Sequence, residues 1–245
     1  HMRPDQMPRL VEGSEAAGTL RGDLARKWGL NGAVTVAGGA GDNAAAACGI
    51  GALDEGQGFV SLGTSGVLLA ARDGYRPAPE TAVHTFCHAT PGRWYQMGVI
   101  LAATDSLNWL GKVTQSSPAK LSESLNDVAA EPTEVIFLPY LGGERTPINN
   151  SAARGVFLGL NHNTDAQEMA RAVLQGVSFA FKGCQLALQT AGTELTRAAA
   201  IGGGSKSDYW LRILANTLNI PLDVCADGDF GASLGAARLG MIAAE

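Results

Sequence analysis

The 245 residues hold 18 lysines and arginines against 23 aspartates and glutamates, a formal net charge of −5, with 46% hydrophobic and 17% charged residues. With no basic face to grip nucleic acid, no apolar run of membrane-span length and too few charges for long disordered arms, the composition describes one large or two small globular domains. Four scattered cysteines, Cys48, Cys87, Cys184 and Cys225, lie in apolar segments and are expected to be reduced core residues of a cytoplasmic protein.

In chain order, a helix is predicted around residues 18–28, then a short apolar strand over 33–37 and an alanine-rich helix opening at 42–48. Two apolar strands, 58–62 and 66–71, are joined by Gly63-Thr64-Ser65, the pattern of a β-hairpin. Strand-like segments over 80–100, including 95–101, precede helical patterns at 104–112 and 120–130. Residues 135–139 read as a strand that runs into a Gly- and Pro-rich loop, 140–147, followed by a further apolar segment, 155–160. The clearest helix is 166–190, where Met169, Val173, Val177, Ala180, Cys184 and Leu188 keep helical spacing and Asp165 with Glu168 forms a capping-box start. A buried strand at 198–201, a helix at 208–218 and a small-residue helix at 232–241 complete an α/β pattern.

Three glycine turns follow apolar strands and carry the chemistry. The first, Gly38-Gly39-Ala40-Gly41, ends in Asp42-Asn43; its acid reads either as an N-cap or as a general base. The spacing also matches a dinucleotide fingerprint, but the next strand ends in Ser61-Leu62-Gly63-Thr64-Ser65 without the acid needed to hold a ribose. The second turn, Gly63-Thr64-Ser65-Gly66, reads as an ordinary hairpin or as a cradle of N–H and hydroxyl groups for a phosphate. The third, Gly202-Gly203-Gly204, leads through Ser205-Lys206-Ser207 into a helix. Its spacing is wrong for a P-loop but suits an anion or a flat adenosine lying against backbone. Glu144 and Arg145 read as solvated loop charges, and His84, Cys87 and His88 lack a fourth ligand for zinc.

Together these segments resemble the FGGY carbohydrate kinases over nearly the whole chain. The resemblance rests on Gly-Asp-Asn-Ala (41–44), Ser-Leu-Gly-Thr-Ser-Gly-Val (61–67), Phe-Cys-His-Ala (86–89) and Phe-Leu-Pro-Tyr-Leu-Gly-Gly-Glu-Arg-Thr-Pro (137–147). It rests most firmly on the spaced signature Gly155-x-Phe157-x-Gly159-Leu160, seven residues, then Glu168-Met169-x-x-Ala172-Val173-Leu174-Gln175. It implies an actin-like fold of two RNase-H-like α/β domains hinged around an ATP cleft. It implies Asp42 as the base that takes the sugar hydroxyl proton, and Asn43 as a substrate contact. Gly63, Thr64 and Ser65 would touch phosphates, Gly142 and Gly143 would form the middle nucleotide loop, and Gly203, Gly204 and Ser207 would lie against adenosine. ATP and Mg²⁺ are the implied cofactors, and the retained segments are most similar to members acting on D-xylulose.

Family members are much longer chains. The resemblance makes residues 1–54 the tail of an N-terminal domain and 55–245 the C-terminal domain, cut short at its end. The Asp-x-Gly-Thr-like phosphate and Mg²⁺ motif and most sugar contacts belong to the missing N-terminal kinase domain. The chain alone is therefore expected to be inactive, and its uncovered faces to self-associate, for instance as a homodimer. No nucleic-acid or membrane partner is expected. The alternatives are a kinase for another sugar or polyol of the family and a non-catalytic, actin-like nucleotide-binding module.

Overall fold

The computed structural model describes residues 3–225 and 231–245. Its centre is a six-stranded sheet. The predicted hairpin is present as β3 (Gln57–Leu62) and β4 (Gly66–Arg72), antiparallel and closed by the pair Leu62 and Gly66. β6 (Trp94–Ile100) pairs antiparallel with β4, and β5 (His84–Cys87) pairs with β6 to form one edge. On the other side β9 (Arg197–Ile201) runs parallel to β3, and β10 (Leu222–Val224) parallel to β9.

Helices cover both faces, which is why β3 and β4 read as continuous apolar runs rather than alternating ones. Val60, Leu62, Leu68 and Ala70 pack with α3 (Thr104–Thr114), α5 (Ala166–Thr190) and α6 (Asp208–Leu218). Phe59, Leu69, Ala199 and Ile201 pack on the opposite face with α2 (Asp42–Ile50) and α7 (Gly231–Ala244). The α5 boundaries match the sequence reading, and Val173, Val177, Cys184 and Leu188 are buried along its inner face. Its capping box is only half formed. Asp165 accepts the Glu168 N–H at 2.8 Å, but the Glu168 carboxylate turns to Thr133 and Arg171.

α2 and α7 meet backbone to backbone. A side chain at Gly49 would strike the Gly231 carbonyl, and one at Gly235 would strike the Ala45 carbonyl. Arg238 adds a hydrogen bond to the Cys48 carbonyl at 2.9 Å. A separate two-stranded ribbon, β7 (Ile136–Leu138) and β8 (Val156–Leu158), turns Phe137 and Phe157 inward against Trp109.

Four expectations are corrected. The 18–28 helix is shorter, with β1 (Ala16–Thr19) before α1 (Gly22–Lys27); β1 exists through antiparallel pairing with β2 (Thr35–Ala37). The 120–130 helix is only α4 (Pro118–Glu123), capped by Ser117. Beyond it the chain closes into tight turns such as Leu125 N–H to Ser122, because Ser and Asn residues offer local hydrogen bonds that compete with a helix. The strand β10 was not anticipated; three residues carry no periodic signal. Cys48 and Cys184 are buried, but Cys225 is half-buried and Cys87 is exposed, because β5 is an edge strand without a covering layer at its end.

Candidate active site

Asp42 is the first residue of α2, not its cap. Gly41 holds the cap position with extended backbone and no side-chain capping bond. The Asp42 carboxylate accepts the Asn43 N–H at 2.7 Å and the Asn43 side-chain amide at 3.2 Å, and it is exposed. Asp42 thus takes up one free N–H of the first turn without holding the cap position, and its carboxylate stays open to solvent.

β3 and β9 are parallel neighbours, in register at Ser61 and Ile201, so the second and third glycine turns leave the sheet at one end. Ligands of open α/β sheets bind beyond the carboxyl ends of the strands. A cleft there is lined by Asp42, Asn43, Ser61, Gly202, Gly231 and Ala232. A second cleft, on the α3 and α6 side, is lined by Thr104, Asn108, Ser122, Gly203, Gly204 and Ser207. The triple glycine forms the wall between them.

The three glycines differ. Gly202 has φ +85°, and a side chain there would press on the Leu62 carbonyl at 3.0 Å. Gly204 is held by packing, with Leu62 and Trp210 filling the space of any side chain. Gly203 is exposed and faces open space. Ser207 caps α6, accepting from the Trp210 N–H at 3.3 Å and from the Ser122 hydroxyl at 3.1 Å.

The hairpin tip is anchored through its carbonyls. Gly63 accepts from the Thr104 N–H at 2.9 Å and its hydroxyl at 2.8 Å, and Thr64 accepts from the Ala103 N–H at 2.8 Å. The side chains of Thr64 and Ser65 are exposed at this fixed tip. Such a tip can offer hydroxyl donors to an anion without reorganising.

Gly142 and Gly143 line neither cleft. Gly143 has φ +88° with Ser151 backbone 2.8 Å from where a side chain would sit, so its role here is close packing. The neighbouring Glu144 corrects the reading of a solvated charge: it is only 3% exposed. Its Oε1 accepts the N–H groups of Leu101 at 2.9 Å and Arg145 at 2.7 Å, which ties the loop to the end of β6. No local pattern announces this, because the N–H of Leu101 comes from just past the end of β6, far away in the chain.

Burial pushes the Glu144 carboxyl above its ordinary 4.5, against the lowering by those two N–H groups and by the Arg145 charge. A carboxyl raised on folding stabilises fully below its unfolded value, and that contribution is lost as pH rises through the folded value. Glu144→Gln keeps the accepting oxygen and cannot ionise. It is expected to flatten this part of the pH–stability curve. Urea titrations in which both proteins change stability equally as pH rises above 4.5 would refute the assignment.

Among the described residues no group of three or more His, Cys, Asp or Glu side chains is placed to hold a metal ion. Nor is any described helix long and apolar enough to cross a membrane.

The FGGY family of carbohydrate kinases, C-terminal domain, matches residues 58–244, and its N-terminal domain matches residues 1–49. The xylulose kinase of Escherichia coli K12 is 48% identical over 244 residues, covering 98% of this chain and 50% of that protein. A crystal structure of a xyloylose kinase from Brucella ovis superposes with TM-score 0.94 at 56% identity, over 98% of this chain and 49% of that one. A gluconate kinase from Lactobacillus acidophilus superposes with TM-score 0.88 at 26% identity, over 99% and 50%. The chain thus spans about half the length of the relatives it matches. Matched on both sides of residues 50–57 by the two domains of one family, it belongs to the FGGY family of carbohydrate kinases.

Proposed function

We propose that this chain carries the general base and much of the nucleotide face of an ATP-dependent kinase that converts D-xylulose to D-xylulose 5-phosphate. The observation that carries the reading is the placement of Asp42, exposed on the first turn of α2, in a cleft that shares the Gly202–Gly204 wall with a second cleft. A sugar at Asp42 and an adenosine beyond the wall would meet through the phosphates at that wall.

In this mechanism Asp42 accepts the proton of the attacking sugar hydroxyl as its oxygen bonds to the γ-phosphorus and the bond to the ADP oxygen breaks. Asn43 holds the Asp42 carboxylate in place and contacts the sugar. The N–H and hydroxyl groups of Gly63, Thr64 and Ser65 steady the phosphates, and adenosine lies on Gly203, Gly204 and Ser207. Gly142 and Gly143 would form the middle nucleotide loop on the same domain, outside the two clefts. Phosphoryl transfer asks a protein mainly to position reactants and stabilise charge. Mg²⁺ supplies part of that charge when bound. The described residues offer it no carboxylate cluster, so it would be held by the nucleotide phosphates and by the domain outside this chain. The domain division we propose is 1–54 with that domain and 55–245 as the C-terminal one.

The high identity to the E. coli xylulose kinase supports D-xylulose. A kinase for another sugar or polyol is the second reading, since a gluconate kinase shares the fold closely. The test is ADP release by this chain assembled with its N-terminal half, comparing D-xylulose with D-gluconate. Preference for gluconate would overturn the first reading. The 245-residue chain alone is expected to stay far below ordinary kinase turnover of about 1–100 s⁻¹; sugar-dependent turnover in that range would show that these residues suffice.

The adenosine surface has its own test. Gly203→Val places a side chain in open space, so the fold should hold while backbone approach is blocked. Calorimetry is expected to show ADP affinity falling at least about tenfold, or roughly 1.4 kcal/mol. Unchanged affinity would move the nucleotide elsewhere.

A further inference from the structure

The outer edge of β6 changes partner part of the way along. β5 pairs with it only as far as His84 and Met97, whereas on its other side β4 continues to Gly66 and Ile100. Beyond Met97 the 144–146 loop becomes the outer neighbour. Thr146 donates its N–H to the Val99 carbonyl at 3.0 Å and accepts the Val99 N–H on its hydroxyl at 3.1 Å. Two residues further on, the Glu144 carboxylate accepts the Leu101 N–H as a strand carbonyl would. Glu144 is itself held by a reciprocal backbone pair with Asn150, at 3.0 and 2.9 Å.

The loop does not need this carboxylate for its own attachment, since Thr146 and Asn150 already hold it. Burying the group is also costly, because Glu144 Oε2 has no hydrogen-bond partner among the described residues. What the carboxylate gains is control of the chain that leaves β6. Leu101 leads through Ala102 and Ala103, 3% and 0% exposed, into α3. The N–H groups at that helix start hold the hairpin: Ala103 and Asp105 donate to the Thr64 carbonyl at 2.8 and 3.3 Å, and Thr104 donates to Gly63. Glu144 is thus joined to the Gly63–Ser65 tip through four residues of chain, 101–104.

We propose that Glu144 is a positioning residue: by fixing Leu101 it sets the place of the Gly63–Ser65 tip against the phosphates of a bound nucleotide. The inference rests on the nucleotide reading above and adds to it a residue that lines neither cleft. Groups that contact a ligand hold their geometry only when a supporting layer locks them. Glu144→Asp keeps the charge and loses the reach; Glu144→Gln keeps the reach and loses the charge. Positioning makes the first harmful and the second tolerated, the reverse of what a purely electrostatic role requires. Adenosine has no phosphates and should bind alike to all three proteins.

Calorimetry on the 245-residue chain with ADP and with adenosine is the test, together with amide hydrogen exchange in the absence of nucleotide. In Glu144→Asp, ADP affinity is expected to fall at least about tenfold while adenosine affinity stays within about threefold, and Glu144→Gln should hold both within about threefold. The amides of Ala103 and Thr104 should lose protection in Glu144→Asp while those of α6 keep theirs, which separates local release of the tip from general loosening. Equal losses for ADP and adenosine, a loss in Glu144→Gln as large as in Glu144→Asp, or unchanged protection at Ala103 and Thr104 would each overturn the proposal. Should Glu144→Asp not fold, exchange in the unmodified chain decides: Leu101, Ala103 and Thr104 should open as one unit, and independent opening of Leu101 would overturn it. Failure of the nucleotide reading looks different. Adenosine binding would then be indifferent to Gly203→Val, while the exchange results would still judge the link from Glu144 to the tip.

Discussion

Asp42→Asn, introduced into the two-domain kinase proposed above, is expected to lower kcat by about 10²–10⁴-fold, roughly 3–5 kcal/mol of barrier. The substitution separates proton acceptance from everything else Asp42 does. Asparagine keeps an oxygen to accept the Asn43 N–H, the contact Asp42 makes at 2.7 Å. The cap of α2 is Gly41, so the helix start does not change. Melting temperature and ATP affinity should therefore stay near those of the unmodified enzyme, and only the chemical step should suffer. A kcat within a fewfold of the original would remove Asp42 from the mechanism. Loss of kcat accompanied by a large drop in melting temperature would instead assign it a structural role.

Gly235→Val is expected to be the most damaging single change to the fold. The position lies where α7 crosses α2, and a side chain there would collide with the Ala45 carbonyl and the Gly49 N–H. Both obstacles are backbone within one helix, so neither can rotate away. Overpacking of this kind costs about 3 kcal/mol or more, or roughly 6–12 °C in melting temperature for a domain of this size. Because α2 begins with Asp42, any accommodation by shifting the helices also displaces the acid from the Gly202 turn. Gly240→Ala is the control. It is on the same helix with open space where the side chain would go, and should be neutral or slightly stabilising. Equal melting temperatures for the two variants would show that the helices do not meet at Gly235 in solution.

Several features were legible in the amino-acid order because each is a property of one local stretch. The α5 helix shows its period over seven turns, with Asp165 marking its start. The β3–β4 hairpin shows as two apolar runs around Gly-Thr-Ser, and the glycine turn after β9 shows as three residues without side chains. Other features had no local signature. β1, Ala-Ala-Gly-Thr, is a strand only because β2 pairs with it. α2, Asp-Asn-Ala-Ala-Ala-Ala-Cys-Gly-Ile, has no apolar stripe to read, and its contact with α7 depends on two glycines far away in the chain. Glu144 looked like a loop charge until the N–H of Leu101 was brought to it.

The candidate site divides along the same line. The amino-acid order by itself determined which residues have suitable chemistry: an acid after a glycine turn, hydroxyls at a hairpin tip, and bare backbone before α6. Tertiary structure decided which of them meet. Parallel pairing of β3 with β9 sets Ser61 beside Ile201 and so puts two turns, about 140 positions apart in sequence, at one end of the sheet. The glycine crossing of α2 and α7 then brings Asp42 to the same place, while Gly142 and Gly143 remain outside both clefts. Side-chain chemistry and periodicity are written within a few turns of chain. Strand pairing and helix docking depend on surfaces that exist only once distant segments have packed, which is why the residues could be named first and their assembly only afterwards.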